Sequence, residues 1–414
     1  MNTPPRPDVL IVGAGIVGAA CAYELSRAGL RVEVLEAGFV GGGTTAAGMG
    51  HVVVMDDSEA QFALTGYSLR LWEELAAHLP ASAEAERCGT LWVAEDEAQM
   101  EAVHAKHAFY AARGVTTEIL DSGDVAKLEP NLRAPLAGAL RVPGDMVVYP
   151  PAVARWLLDR ALEHGAVLRE GCLVERVTEG GVVIGRGGSP GGQRVAAGLM
   201  AAEGGSGEMA PEWRSGAVCA APLPGSRLEG GVVINAAGAA AARLTPGLPI
   251  VPRKGHLVIT DRYPGFCRHQ LVELGYLTSA HTMNAASVAF NIQPRRTGQL
   301  LIGSSRELVG WDATTNRRVL RQMLARAAHF MPALANLSAI RSWTGFRPAT
   351  PDKLPLIGRW GEGERLWIAA GHEGLGITTA LGTARLLADQ LLGRVPEIDT
   401  APFAPGRVVE HAEG

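Results

Sequence analysis

Lysine is nearly missing from this chain. Of 38 Lys and Arg residues, only Lys106, Lys127, Lys254 and Lys353 are lysines. The skew marks a coding bias, so a single arginine carries less diagnostic weight than usual. Surplus positive charge is also missing. The formal net charge is -4 over 414 residues. No basic stripe is present, which excludes the electrostatic footprint of a nucleic-acid binder. Cysteine is scarce and scattered, at 21, 88, 172, 219 and 267. Without a Cys-x-x-Cys spacing, neither a zinc ribbon nor an iron–sulfur cluster is encoded, and no metal site is expected. An odd, unclustered set fits a reducing compartment. No run of 18 apolar residues exists, which excludes a spanning helix of ordinary length. The start, Met1-Asn-Thr-Pro-Pro-Arg-Pro-Asp8, lacks a basic region and a cleavage site, and glycines break the apolar residues that follow. The expectation is a cytoplasmic protein, with peripheral contact at the inner membrane face left open.

Glycine, by contrast, is abundant and placed with a pattern. Asp8-Val-Leu-Ile-Val12 is an apolar strand, Gly13-Ala-Gly15 a tight turn, and Ile16-Val17-Gly18 opens a helix of small residues. Arg31-Val-Glu-Val-Leu-Glu36-Ala37 is a second strand ending in an acid. Gly13 permits the turn, Gly15 lets a pyrophosphate approach the backbone at the helix N-terminus, and Gly18 lets the helix lie on the strand. Glu36 stands about 20 residues further on, where an acid accepts hydrogen bonds from an adenosine ribose and repels a 2′-phosphate. Together these features predict a dinucleotide site.

A chain of this length is too long for one ordinary core, so two domains are expected. The small-residue loop 41–50 lets a bulky planar group sit against backbone. Helices are predicted over Ser58–Leu79, Glu95–Arg113, Pro151–His164, Thr315–His329 and Ile377–Leu392, and short strands and turns fill 115–149. Strands are predicted at Leu91–Ala94, Ala166–Leu168, Leu173–Val177, Gly231–Gly238, His256–Thr260, Ser287–Ile292, Gln299–Ile302 and from Leu366. Residues 180–230 are rich in Gly, Ser, Pro and Ala and read as an enlarged hairpin or loop insertion. A nucleotide strand at the start and a strand–glycine–helix unit at the end imply a split α/β, Rossmann-like domain. It is expected to comprise 1–50, 140–247 and 345–414. A second domain of mainly antiparallel sheet plus helices would take 51–139 and 248–344.

Four motifs, in this order, resemble the FAD-binding D-amino-acid oxidase superfamily, which includes glycine oxidase, sarcosine oxidase and D-amino acid dehydrogenase. They are Gly13-Ala-Gly-Ile-Val-Gly18 with Glu36; Val-Ile-Asn235-Ala-Ala-Gly238; Phe346-Arg347-Pro-Ala-Thr-Pro-Asp352-Lys-Leu-Pro-Leu-Ile-Gly358; and Ala-Ala-Gly371-His372-Glu-Gly-Leu-Gly376-Ile-Thr378. The last two look most like D-amino acid dehydrogenases. Residues 253–260 and 291–306 resemble the flavoprotein subunit of D-hydroxyproline dehydrogenases.

The resemblance implies roles for particular residues. Arg347 would clamp the substrate carboxylate, since a guanidinium fork matches a carboxylate bidentately. Gly371, His372, Gly374, Leu375, Gly376, Ile377 and Thr378 would meet the pyrimidine end of a flavin, where the helix dipole stabilises charge. Gly43, Thr44, Thr45, Ala47, Gly48 and Met49 would line the phosphate and flavin ends. Val174 would lie near the adenine, and Ala236 and Gly238 against the nucleotide half. His51, His256, Tyr276 and His281 are candidates for the substrate pocket. Covalent sarcosine-type relatives carry a cysteine near the position of Gly345, and histidine-linked relatives carry a Trp-His pair absent from Thr44–Gly48, so the FAD is expected to be non-covalent. Glycine oxidase has a second arginine shortly after the Gly-His pair, where this chain has Glu373. The implied reaction is dehydrogenation of a small D-amino or cyclic imino acid, with cis-4-hydroxy-D-proline or D-proline as leading substrates. A quinone or a redox partner subunit would take the electrons. An oxidase producing peroxide is one alternative; an FAD-carrying subunit inactive outside its complex is another.

Overall fold

Two sheets organise the molecule. The computed structural model describes residues 6–185, 217–219, 222–275 and 287–408. The first sheet has seven strands, ordered Ala217–Val218, Val167–Glu170, Val32–Glu36, Val9–Val12, Val232–Asn235, Leu366–Ala370 and Leu356–Arg359. All pair in parallel except the last, which turns back antiparallel on Leu366–Ala370. Its central strands are continuously apolar because both faces are covered. Helices Ile16–Arg27, Pro150–Glu163 and Gly376–Leu391 share one core cluster with Ile11, Val34 and Ile234. The opposite face lies under a three-stranded meander, Val174–Thr178, Gly181–Ile184 and Arg227–Glu229, which packs Val177 and Val182 against Leu10 and Leu35.

The second sheet has eight strands, ordered Ala339–Ala349, Val251–Thr260, Leu300–Arg306, Ser287–Pro294, Gln270–Glu273, Thr90–Ala94, Gly138–Val142 and Glu118–Asp121. Only Gln270–Glu273 and Thr90–Ala94 pair in parallel. Helix Arg317–Phe330 covers one face through Met323, Ala327 and Phe330, which pack on Val258, Phe290 and Ile302. The other face presents Leu257, Leu301 and Trp343 to Ala47 and Met49 of the small-residue loop. The two sheets therefore meet at that loop.

The expected helices form with their ends shifted by up to three residues. Ser58, Asp96 and Asn316 accept hydrogen bonds from the first turns of Glu59–Ala76, Glu97–Ala111 and Arg317–Phe330, as N-caps do. Strands Gly138–Val142 and Ala339–Ala349 lie wholly in the second sheet and run across the boundaries expected at 140 and 345. Most of the 180–230 stretch lies outside the described residues. Its described base is antiparallel, with Val182 opposite Leu228, and Ala217–Val218 adds an edge strand that no periodicity announced.

Candidate functional site

The glycine turn has the closeness its sequence requires. Gly13 takes φ +101°, and a Cβ there would stand 2.8 Å from the Ala236 carbonyl oxygen. A Cβ on Gly18 would overlap the Gly13 carbonyl oxygen, so only glycine lets the helix start this close to the strand. Thr45 Oγ1 accepts from the Ile16 N–H at 3.0 Å and lies near Gly15, joining the loop to the helix N-terminus. Val17 is the next residue of that first turn. Glu36 spans the turn: its carboxylate accepts from the Ala14 N–H and the Gly38 N–H, each at 2.7 Å. Ala37 lies between Glu36 and that second donor. Burial pushes the Glu36 carboxyl up, against the stabilising pull of those N–H groups. The Glu36 carbonyl accepts from the Cys172 N–H at 2.8 Å, which brings the Val174 strand over the acid. Ala236 donates its N–H to the Val12 carbonyl at 3.0 Å, and Gly238 (φ +54°) faces Thr44 Oγ1. Asn235 donates to Thr245 Oγ1 and the Ala241 carbonyl, so its amide holds the turn.

The loop from Gly43 joins the two sheets. The Thr44 hydroxyl donates to the Phe346 carbonyl at 2.8 Å, one residue before Arg347. Gly48 abuts Ile377 of the last helix, Met49 approaches Gly303, and a Cβ on Gly345 would overlap the Ala47 side chain. A cysteine at position 345 would therefore not fit this backbone arrangement.

Arg347 lies half-buried between two glycines from distant parts of the chain. A Cβ on Gly255 would collide with its guanidinium, and one on Gly374 would stand 3.6 Å from its Nε. Nη1 donates to the Ser305 carbonyl at 3.0 Å. Across the strand pair sits Arg253, which is buried and bonded to Glu373 at 3.1 Å. That ion pair anchors the turn before the last helix, and it cancels a second positive charge beside Arg347. Glu373 is itself left-handed, with φ +50°. Leu375 caps the His372–Leu375 turn by donating its N–H to the His372 carbonyl, and Gly376 opens the helix.

The histidines divide. His372 is buried with Nε2 on Thr383 Oγ1 at 2.9 Å, and burial pushes it down to about 3, so it is neutral and turned into the helix; only its backbone lines the turn. His51 is held through its carbonyl, which accepts from Thr378 Oγ1, and burial also pushes its ring down to about 3. Its Nε2 is buried with no hydrogen-bond partner among the described residues. His256 does not serve as a pocket residue, contrary to expectation. Nδ1 bonds Ser305 Oγ at 2.9 Å and Nε2 accepts from the Asn316 N–H at 3.0 Å, which commits both ring nitrogens. Position 256 alternates away from the odd-numbered face of its strand, where Arg253, Gly255 and Leu257 lie. Burial lowers its basicity. Through Ser305 it steadies the carbonyl that holds Arg347. Tyr276 and His281 lie outside the described residues. Sequence reasoning missed Gly255 and Ser305, which only pairing across strands brings to Arg347, and Asn291 Oδ1, Gln293 Oε1 and Trp343 Nε1, which are buried with no hydrogen-bond partner among the described residues.

The cradle fits an FAD: a helix N-terminus reached through Cβ-intolerant glycines, an acid at the second strand, and a small-residue loop against a second sheet. Among the described residues, no cluster of His, Cys, Asp and Glu could hold a metal ion. No described helix is long and apolar enough to cross a membrane. The chain is 30% identical to a glycine oxidase of Pseudomonas aeruginosa, with 96% of this chain and 98% of that protein covered. It is 27% identical to a D-amino acid dehydrogenase of Cereibacter sphaeroides, with 96% of each covered. The crystal structure of glycine oxidase from Geobacillus kaustophilus superposes with a TM-score of 0.78 at 27% identity, covering 97% of this chain and 99% of that one. Residues 8–390 match the family model described as DAO, FAD dependent oxidoreductase, and the chain belongs to that family of FAD-dependent enzymes.

Proposed function

We propose that this enzyme oxidises a small amino or cyclic imino acid at its α-carbon, with the substrate carboxylate held by Arg347. One observation carries the reading: Arg347 is set between Gly255 and Gly374, beside the loop and helix start that would meet a bound flavin. When bound, FAD supplies the hydride acceptor. Arg347 binds and orients, since two parallel bonds to one carboxylate fix the α-carbon, and most of what hydride transfer needs is that placement. The Ser305 carbonyl and the two glycines fix the guanidinium, and Glu373 answers the charge of Arg253. Neutral His51 offers an uncharged nitrogen and adds no competing cation. The two sheets correspond, in this reading, to a cofactor half and a substrate half.

Within that reading we place the enzyme with dehydrogenases of D-imino acids, cis-4-hydroxy-D-proline or D-proline first, passing electrons to a quinone or a redox partner and reacting slowly with oxygen. The likeness of residues 253–306 to hydroxyproline dehydrogenases supports the substrate. The second reading is glycine oxidation, favoured by the 30% identity to a glycine oxidase. Against it, Glu373 stands where an arginine is expected in glycine oxidase, and it is spent on Arg253. Anaerobic flavin bleaching decides: bleaching by D-proline or cis-4-hydroxy-D-proline ahead of glycine and D-alanine is expected, and the reverse order installs the second reading. FAD is expected in solution after acid precipitation; colour kept in the pellet would overturn the non-covalent assignment.

A further inference from the structure

Helices Ile16–Arg27 and Gly376–Leu391 start at the glycine cradle and end at a cavity of about 340 Å³. From Gly376 to Asp389 the last helix rises roughly 20 Å, so this cavity is remote from the Arg347 site. Both helix ends close on a left-handed glycine. At Gly29 (φ +89°) the Leu30 N–H donates to the Leu25 carbonyl, and at Gly393 (φ +64°) the Arg394 N–H donates to the Asp389 carbonyl. Two C-terminal helix ends beside one cavity favour positive charge in it. The walls also carry three arginines and three carboxylates, and most of these are spent on each other. Glu24 accepts from Arg27 and from Arg385, each at 3.0 Å, and Glu397 pairs with Arg70 outside the wall. Two charges are left over. Asp389 is 8% exposed, and its carboxylate has no hydrogen bond or ion pair among the described residues. Burial pushes it above its ordinary value, against the pull of Arg385 and Arg394. Arg394, exposed on the segment after the helix, has no side-chain partner among the described residues either. Both line the cavity, yet they do not pair. Tyr67, 2% exposed, adds a hydroxyl that makes no hydrogen bond among the described residues. A buried carboxylate left alone costs stability, and a ligand that answers it recovers that cost.

We infer that this cavity binds a free amino acid as its zwitterion, with the ammonium inward on the Asp389 carboxylate and the Tyr67 hydroxyl oxygen, and the carboxylate outward on Arg394. An ammonium only donates, which suits a carboxylate and a phenol oxygen, and a guanidinium only donates, which suits the ligand carboxylate. A simple anion would meet two helix C-termini and two arginines already held by Glu24. A simple cation would leave Arg394 unanswered. The zwitterion satisfies both leftover charges at once. Far from the flavin cradle, the site holds its amino acid without oxidising it, and binding here is independent of which substrate is oxidised at Arg347.

The test is equilibrium dialysis of radiolabelled L-proline, L-leucine and L-lysine against the FAD-loaded, oxidised enzyme. At least one is expected to bind saturably at one site per chain that survives Arg347→Met. Asp389→Asn and Arg394→Gln are each expected to weaken that site about tenfold or more, with flavin absorbance unchanged. Arg394 lies on the exposed segment, so its variant keeps the test alive if Asp389→Asn does not fold. The amine and the carboxylic acid that each carry only one of the ligand's two charges should compete about tenfold more weakly than the amino acid itself. No saturable binding of any of the three at about 20 mM would overturn the inference. So would binding that is lost in Arg347→Met and kept in both cavity variants, because the ligand would then sit at the carboxylate clamp. An amine that competes as well as the amino acid would overturn the zwitterion and leave a site for cations only. These outcomes are read without turnover, so they stand or fall apart from the substrate assigned to Arg347.

Discussion

The two sheets met at one loop by different routes. In the parallel sheet the functional contacts are short in sequence: Gly13, Gly15, Gly18 and Glu36 fall within 24 residues, and each is defined by what its immediate neighbours do. In the antiparallel sheet the functional contacts are long. Arg347 is framed by Gly255, Ser305 and Gly374, contributed by three separate stretches, and its charge environment is set by Arg253 and Glu373, which are 120 residues apart. A backbone feature that binds phosphate is encoded locally because helix N-termini and turns are local objects. A side-chain pocket is encoded by register, which spans the chain.

The sharpest way to break this comparison is at Gly18. Gly18→Val puts a Cβ into the Gly13 carbonyl, and the expected outcome is near-complete loss of bound FAD, read as flavin absorbance per protein. A yellow, folded variant would show that the local turn does not control the cofactor. On the other side, Arg347→Met is expected to keep FAD and to lower kcat/KM about a hundredfold, about 3 kcal/mol, as for a lost charge-assisted pair. Arg347→Lys should recover little, because a point charge does not reproduce the fork. Near-normal kinetics in either folded variant would remove Arg347 from the site.

Gly255→Ala tests whether the distant register matters by itself. The added methyl meets the guanidinium, so about a tenfold rise in KM with intact FAD is expected for a displaced carboxylate clamp. Equal kinetics would mean that Arg347 is not confined by its neighbours.

The smallest effect concerns pH. Burial pushes the Asp145 carboxyl up to about 7, while its Oδ1 accepts from the Val54 N–H at 3.2 Å. Its folded value lies above the ordinary carboxylate value, so the folded state holds the proton longer and stability is lost as pH rises from about 4 through 7. Asp145→Asn removes that loss. The variant should gain on the order of 1 kcal/mol or more at pH 8 and nothing at pH 3, by chemical denaturation. His51 and His372 act with the opposite sign: held near 3 in the folded state, they withdraw stability as pH falls below about 6.5. A gain from Asp145→Asn that is equal at both pH values would show that titration is not its source.

The sequence by itself determined the parallel-sheet half: the strand–turn–helix, the acid at Glu36, the strand and turn from Val232 to Gly238, and the closing helix from Gly376. Apolar runs, glycine positions and caps are chemical properties of neighbouring residues, so they can be read without the fold. It also marked Arg347, through a resemblance rather than through spacing. The tertiary structure alone decided what surrounds that arginine. It turned His256 into a structural bridge between Ser305 and Asn316. It spent Glu373 on Arg253. Those outcomes depend on which strands pair and in what register, and a β-strand's period of two assigns every side chain to a face only once that register is fixed.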